Sequence, residues 1–305
     1  MSTWIILAFL APFFWSCANY VDKFIISRYV KVGSGAGSLV IFTGLTGFVM
    51  SAGILLLGHG KIAIPGWDMV GIMIAGMILV ASFIPYLSAM RTEDSTVVVP
   101  LYQLIPVFTY ILAFFFLGET LSLRQIIAGV LIIIGAVLIS INPSNKFRIK
   151  KKVLGLMTLS SLGIAVNYVM FKWLALDSLN PWATAFWEYI GAGIFSIFLF
   201  VCIKRYRQEF TAIVKNNGPV VMSLNIGGEV LNLSAKLLMV FASLSVPIAL
   251  VNIINGVQPF IIFFMGLVFS LWIPHIIKEN ITPKYIVQRV FSIIVLFVGI
   301  WVLFC

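Results

Sequence analysis

Four polar residues within one apolar stretch of the chain are the clearest candidates for binding a solute. The stretch covers residues 219–242, and its polar members are Asn225, Glu229, Asn232 and Lys236. Their spacings of 4, 3 and 4 residues place them on one stripe of a helix. An ionisable group in the middle of a membrane helix costs roughly 2.5 to 3.5 kcal/mol on insertion scales, so the stripe should face a bundle interior or a water-filled cavity. We expect that cavity to be the functional site.

Two arrangements fit this stripe. In the first, Glu229 and Lys236 bind the amine and the carboxylate of one zwitterionic solute, because about 10 Å separates their backbone positions along a helix. Asn225 and Asn232 then supply neutral hydrogen bonds. In the second, the lysine leans toward the helix N-terminus and pairs with the glutamate, so that the stripe only joins helices. The sequence leaves both arrangements open.

A second carboxyl group inside an apolar segment belongs to Glu188, which lies between Trp187 and Tyr189. A carboxyl group in such surroundings is suited to exchange a proton near neutral pH. We therefore predict proton coupling at Glu188 and Glu229. The alternative for Glu188 is a salt bridge to another helix.

The other candidate ligands are polar or aromatic residues in neighbouring apolar segments. They are Trp15, Asn19, Tyr20, Tyr86, Tyr102, Gln103, Asn167, Tyr168, Trp187, Asn252 and Asn255. Aromatic rings can form the wall of a pocket and bind a cation, although core packing is the alternative for any single ring. Two embedded acids with one or two bases favour a zwitterion or an organic cation. A sugar phosphate would require arginine at depth.

The composition identifies the elements that must position these residues. The 305 residues are 61% hydrophobic and 10% charged, with a mean hydropathy of +1.11, whereas soluble domains are about 25% charged. An all-α integral membrane protein is therefore predicted, with about ten crossings at roughly 20 residues each. The apolar segments are 4–21, 38–57, 69–89, 97–117, 123–141, 153–174, 181–203, 219–242, 247–272 and 284–304.

Membrane topology also explains the net charge of +10, since lysine and arginine collect in the connections after odd-numbered segments. The positive-inside rule then places both termini outside. We expect no nucleic-acid partner. No hydrolase, phosphate-loop or metal motif is present, and His59 and His275 lie in connections. We expect neither an enzyme nor a bound cofactor or metal.

Two sequence echoes indicate an internal duplication. Asn19-Tyr20-Val21 recurs as Asn167-Tyr168-Val169, and Pro106-Val107-Phe108 resembles Pro259-Phe260-Ile261. The separations of 148 and 153 residues nearly agree. We predict two inverted five-helix repeats, covering residues 1–145 and 146–305. Interior prolines should kink helices and open a cavity between them.

The chain resembles the drug/metabolite transporter superfamily, in particular the ten-helix EamA-type transporters built from two five-helix repeats. The residues that carry the resemblance are Trp15, Asn19 and Lys23, residues 95–99 with Pro106, and Leu117-Gly118-Glu119-Thr120-Leu121-Ser122. The second half departs from this pattern at residues 271–274. We expect Glu119 to cap or fix a loop, and Lys172 either to extend to lipid headgroups or to share a role with Lys23.

The resemblance implies alternating-access transport of small metabolites, often outward and often driven by protons or exchange. We therefore expect an exporter or exchanger of zwitterions or organic cations, in a bacterial-type plasma (inner) membrane and in contact with lipid. A channel for small polar solutes or ions is the alternative. The resemblance also implies cytoplasmic termini, which conflicts with the charge count.

Overall fold

The computed structural model describes residues 3–29, 37–56, 62–90, 98–140, 150–178, 181–272 and 283–304. These residues are helical or lie in short turns between helices. Eight stretches are long and apolar enough to cross a membrane, and two shorter apolar helices cover Leu101–Leu117 and Leu123–Ile139. The predicted all-α membrane fold is confirmed. His59, His275, residues 95–97 and the predicted boundary at 145/146 lie outside the described residues.

The first five predicted crossings correspond to helices α1 to α5, and the rest to α6 to α11. The first group comprises α1 (Thr3–Tyr29), α2 (Gly37–Leu56), α3 (Gly66–Met90), a 3-10 segment (Val99–Gln103) leading into α4 (Leu104–Leu117), and α5 (Leu123–Ser140). The second comprises α6 (Lys151–Ser178), α7 (Pro181–Cys202), α8 (Lys204–Ser243), α9 (Ile248–Ile254), a 3-10 segment (Asn255–Val257), α10 (Gln258–Trp272) and α11 (Pro283–Phe304).

The packing partners of the helices follow a two-fold pattern. Helix α1 packs against α8 and α3 packs against α6, while α2 contacts α8 and α3 contacts α7. If α1, α2 and α3 are exchanged for α6, α7 and α8, the pair of α1 with α8 becomes that of α6 with α3. The pair of α2 with α8 likewise becomes that of α7 with α3. The pairs α2 with α7 and α5 with α11 map onto themselves. This is the arrangement that two equivalent five-helix units produce.

Two of the interior prolines interrupt their helices at matching places. A proline ring clashes with the carbonyl four residues earlier, which is Tyr102 for Pro106 and Asn255 for Pro259. At both places the chain forms a 3-10 segment instead of an α-helix. The predicted single run 247–272 is therefore broken. Pro12 and Pro85, in contrast, lie inside continuous helices.

Helix α8 begins earlier than the sequence indicated. Pro219 was expected to open this helix, but helical structure starts at Lys204 and bends at Asn217, where φ is −144°. The added part is amphipathic, and Phe210 packs 4.5 Å from Phe42 of α2 between ring centres. Packing of this apolar face stabilises a helix where the sequence pattern indicated only a basic connection.

Glycines bring α3 and α7 into backbone contact. A Cβ atom at Gly76 would lie 2.0 Å from the carbonyl oxygen of Glu188, and one at Gly191 would lie 2.1 Å from that of Met73. The two helices can approach this closely only without those side chains. The contact seats Glu188 deep in the bundle.

Candidate functional site

Asn167, Glu188 and Lys236 form one buried cluster that joins three helices. The Lys236 ammonium forms an ion pair with Glu188 Oε1 and donates a hydrogen bond of 3.0 Å to Asn167 Oδ1. Asn167 Nδ2 donates to Glu188 Oε1 at 2.6 Å and to the Ala75 carbonyl of α3 at 2.9 Å. All three side chains are buried. We call them the ion-pair cluster, and its charges are mutually compensated.

The cluster gives Lys236 a partner on another helix. Its ammonium contacts Glu188 of α7 and lies 4.4 Å from the ring centre of Phe171 on α6. The pair with Glu229, one of the two arrangements that the sequence left open, is not among the salt bridges of the described residues. For Glu188 the structure contains the salt bridge that was the alternative to proton exchange.

Glu229 faces a different helix, α1, together with an acid that the sequence analysis missed. Helices α1 and α8 run antiparallel, since Ala8 packs near Met239 whereas Ile25 packs near Val221. This pairing brings Asp22 level with Asn225 and Glu229. Asp22 Oδ1 lies 3.9 Å from the position that a Cβ of Gly228 would occupy.

The space between α1 and α8 is acidic. Glu229 is buried and hydrogen-bonded to the Asn232 side chain, and it interacts electrostatically with Asp22. Asp22 itself is exposed. We call Asp22, Asn225 and Glu229 the acidic chamber. The signal that could have identified Asp22 is its helical spacing, because it follows Trp15 by seven residues and Asn19 by three.

Aromatic rings from four elements lie near the chamber. Tyr86 of α3 packs on Tyr102 at 4.9 Å between ring centres, and both lie close enough to Asp22 to interact electrostatically. The Tyr102 hydroxyl is hydrogen-bonded to Ser160 of α6. Trp15 stacks on Tyr168 at 6.3 Å. Four of the predicted aromatic residues therefore occupy neighbouring positions around the bundle centre.

The amides near the broken helices form a third group. Asn255 Nδ2 donates to Asn252 Oδ1 at 3.4 Å, and Asn255 Oδ1 is buried without a partner among the described residues. Gln103 Oε1 lies 3.6 Å from the Cβ position of Gly256, so the two 3-10 breaks meet there. Asn252 also donates to the Ile248 carbonyl at 3.2 Å.

Three of the predicted ligands have other surroundings. The Tyr20 hydroxyl donates to the Ile262 carbonyl of α10 at 2.7 Å. The Trp187 indole donates to the Ile62 carbonyl at 2.8 Å. Asn19 is exposed. Tyr20 and Trp187 thus hold backbone segments in place, a role that their sequence positions did not indicate.

The comparison with protein families agrees with this architecture. The model of the EamA-like transporter family matches residues 2–141. An uncharacterised protein of Methanocaldococcus jannaschii is 31% identical over 144 residues, which are 47% of this chain and 99% of that protein. The chain belongs to the EamA-like transporter family. The family is one of membrane transporters and not of enzymes.

A solved crystal structure has the same fold as this EamA-like protein. The two align with a TM-score of 0.70 at 13% identity, over 99% of this chain and 96% of the other. At that identity the likeness concerns the fold alone. The archaeal relative, about half as long as this chain, has the size of one five-helix unit.

The Leu-Gly-Glu segment of this EamA-like chain closes a second buried ion pair. Gly118 ends α4 in the left-handed conformation, with φ of 65°, which favours glycine. The turn lets Glu119 form an ion pair with Lys172 of α6 and accept a 2.8 Å hydrogen bond from the Ile248 backbone N–H. Lys172 also donates to the Val246 carbonyl at 3.0 Å. We call Glu119 and Lys172 the clamp.

Glu119 has the capping role predicted for it, since it accepts a hydrogen bond from the first backbone N–H of α9. Helix α5 has its own capping box, in which Ser122 and Gln125 exchange hydrogen bonds of 2.8 and 3.3 Å. Lys172 is buried, so it does not extend to lipid headgroups. The clamp ties the first group of helices to the second.

Proposed function

We propose that the protein is a secondary transporter for small amine-bearing metabolites, either amino-acid-like zwitterions or organic cations. The observation that carries this proposal is the acidic chamber, in which a buried carboxylate and an exposed one face each other beside tyrosine rings. Carboxylates and aromatic faces are the groups that bind ammonium. We propose export across a bacterial-type plasma membrane.

Alternating access has structural support in the matched helix breaks. Broken helices at corresponding places in two repeats commonly border transporter sites, and here they meet at Gln103 and Gly256. We propose that the substrate contacts the chamber, its aromatic border and the amides at the breaks. Movement of the two five-helix units would then open this space to either side in turn.

Proton coupling is assigned to Glu229 ahead of Glu188. Glu188 is already compensated by Lys236, so protonating it would disrupt the ion-pair cluster. Around Glu229 lie Asp22 of α1, Tyr189 of α7, and Asn232 and Lys236 of its own helix. A proton and an ammonium compete for the same carboxylate. This competition would exchange outward substrate for inward protons.

Counterflow in proteoliposomes tests the proposal. Vesicles loaded with an unlabelled amine should take up the labelled amine transiently, with saturation, and an imposed pH gradient should drive net movement. Glu229→Gln should abolish the response to pH. The alternative, a channel, would give unsaturated flux and single-channel currents without counterflow, and that result would refute the carrier.

A further inference from the structure

We infer that the transported solute carries two separated positive charges and that Asp22 is one of its ligands. The inference rests on the proposed function and specifies the substrate class of the same site. It starts from the charges of the acidic chamber. Within the described parts of the chain, neither Asp22 nor Glu229 forms a salt bridge with a lysine or arginine.

Lys236 interacts electrostatically with Glu229, but its salt bridge is with Glu188. Its ammonium is held by Glu188, Asn167 and the face of Phe171. Turning it toward Glu229 would leave Glu188 buried without a cation, which is strongly unfavourable. The lysine that could have bound the carboxylate of a zwitterion is therefore occupied.

The charge of the solute then follows from the two carboxylates, Asp22 and Glu229. A monocation would balance one of the two neighbouring carboxylates and leave the other negative charge beside it without a bound counterion. A zwitterion would bring a further negative charge, and Lys236, the base on the same stripe, is already paired with Glu188. A solute with two ammonium groups balances both Asp22 and Glu229.

The groups near the two carboxylates suit such a solute. Asn225 is only 6% exposed and lies one helical turn before Glu229. Its amide oxygen can accept from an N–H donor. Gly228 lets the backbone of α8 approach Asp22, since a Cβ there would lie 3.9 Å from Asp22 Oδ1. Tyr86 and Tyr102 border the Asp22 side and can contact an alkylammonium group through their faces.

The test compares an α,ω-diaminoalkane with the monoamine of the same chain length. These probes differ by one charge, and their Kd values are measured by thermal shift of the full-length protein and by counterflow in proteoliposomes. We expect the diamine to bind at least about tenfold more tightly. Asp22→Asn and Glu229→Gln should each remove this preference, because each weakens binding of the diamine more than binding of the monoamine.

Asp22 is exposed, so Asp22→Asn should fold normally. The matched control is Asp68→Asn in the first turn of α3, at the opposite end of that helix from Tyr86. It should leave the preference unchanged. A change in folding alone would weaken both amines equally, whereas loss of a ligand weakens the diamine selectively.

The remaining outcomes separate the two proposals. Saturable counterflow of amino acids or monoamines, without preference for the diamine, overturns the inference and leaves the transporter in place. A preference that survives Asp22→Asn also overturns it. Unsaturated amine flux with single-channel currents overturns the proposed function itself.

Discussion

Glu229 and Lys236 lie seven residues apart on α8, yet their surroundings are electrostatically opposite. Lys236 turns toward α6 and α7, where Glu188 and Asn167 satisfy it. Glu229 turns toward α1, where it meets a second acid. A polar stripe on one helix can therefore serve two purposes, because each residue takes its role from the helix it faces.

The duplicated asparagines show the same contrast. Asn19 and Asn167 occupy corresponding places in the two sequence echoes. Asn167 is buried and bonded to Glu188 and the Ala75 carbonyl, whereas Asn19 is exposed. Two asparagines at corresponding sequence positions therefore have different surroundings, because each takes its partners from the helices packed around it.

The largest effect should come from breaking the ion-pair cluster. Lys236→Met strands Glu188 as a buried carboxylate, and we expect a loss of about 3 to 5 kcal/mol in the free energy of unfolding. Reversible unfolding in detergent measures it. Adding Glu188→Gln should restore much of the loss, because the stranded charge disappears. Lys215→Met, on an exposed part of α8, is the control. A single variant as stable as the unchanged protein would contradict the buried ion pair.

The clamp should contribute less. Lys172→Met removes a charged donor from Glu119 and the Val246 carbonyl, and we expect a loss of about 1.5 to 3 kcal/mol in the free energy of unfolding. Glu119 keeps its bond to the Ile248 N–H, which limits the damage. Lys151→Met, at an exposed position at the start of α6, serves as the reference in the same unfolding measurement. Equal losses in both variants would mean that burial of the clamp is unimportant.

The glycine contact under the ion-pair cluster should have a similar or smaller effect. Gly76→Ala forces α3 away from α7, and overpacking of this kind costs about 1 to 3 kcal/mol. Gly227→Ala on α8 meets no atom within 4 Å and should be neutral or slightly stabilising. Thermal unfolding of both variants measures the difference. Equal melting temperatures would show that the close approach does not position Glu188.

The smallest change in stability is expected in the acidic chamber. Glu229→Gln removes an uncompensated buried charge, so the free energy of unfolding should fall by less than about 1 kcal/mol or rise. Transport should nevertheless lose its pH dependence. The combination of intact stability and altered transport is the opposite of the pattern expected for Lys236→Met. A loss of several kcal/mol in the free energy of unfolding of Glu229→Gln would mean that Glu229 is needed for stability in the same way as Lys236. That result would contradict the difference between the acidic chamber and the ion-pair cluster.

Much of the fold was determined by local sequence. Apolar segments of about 20 residues can satisfy their backbone hydrogen bonds in a bilayer only as helices, so the crossings were predictable within a few residues. Pro106 and Pro259, which lie in one of the two sequence echoes, indicated interruptions at matching places. The helical segment before Asn217 was not predicted, because its apolar face is short and its composition is basic.

The partners of the charged residues were decided only by the tertiary structure. The spacing of Asn225, Glu229, Asn232 and Lys236 placed them on one stripe, and the helix confirms this. The spacing could not indicate that Lys236 would pair with Glu188, or that Glu229 would face Asp22. Electrostatic interactions depend on distances across helix interfaces, and those distances follow from crossing angles and from close contacts such as that at Gly76. The sequence by itself therefore determined which residues enter the membrane, and the packing of the helices determined which charges remain uncompensated.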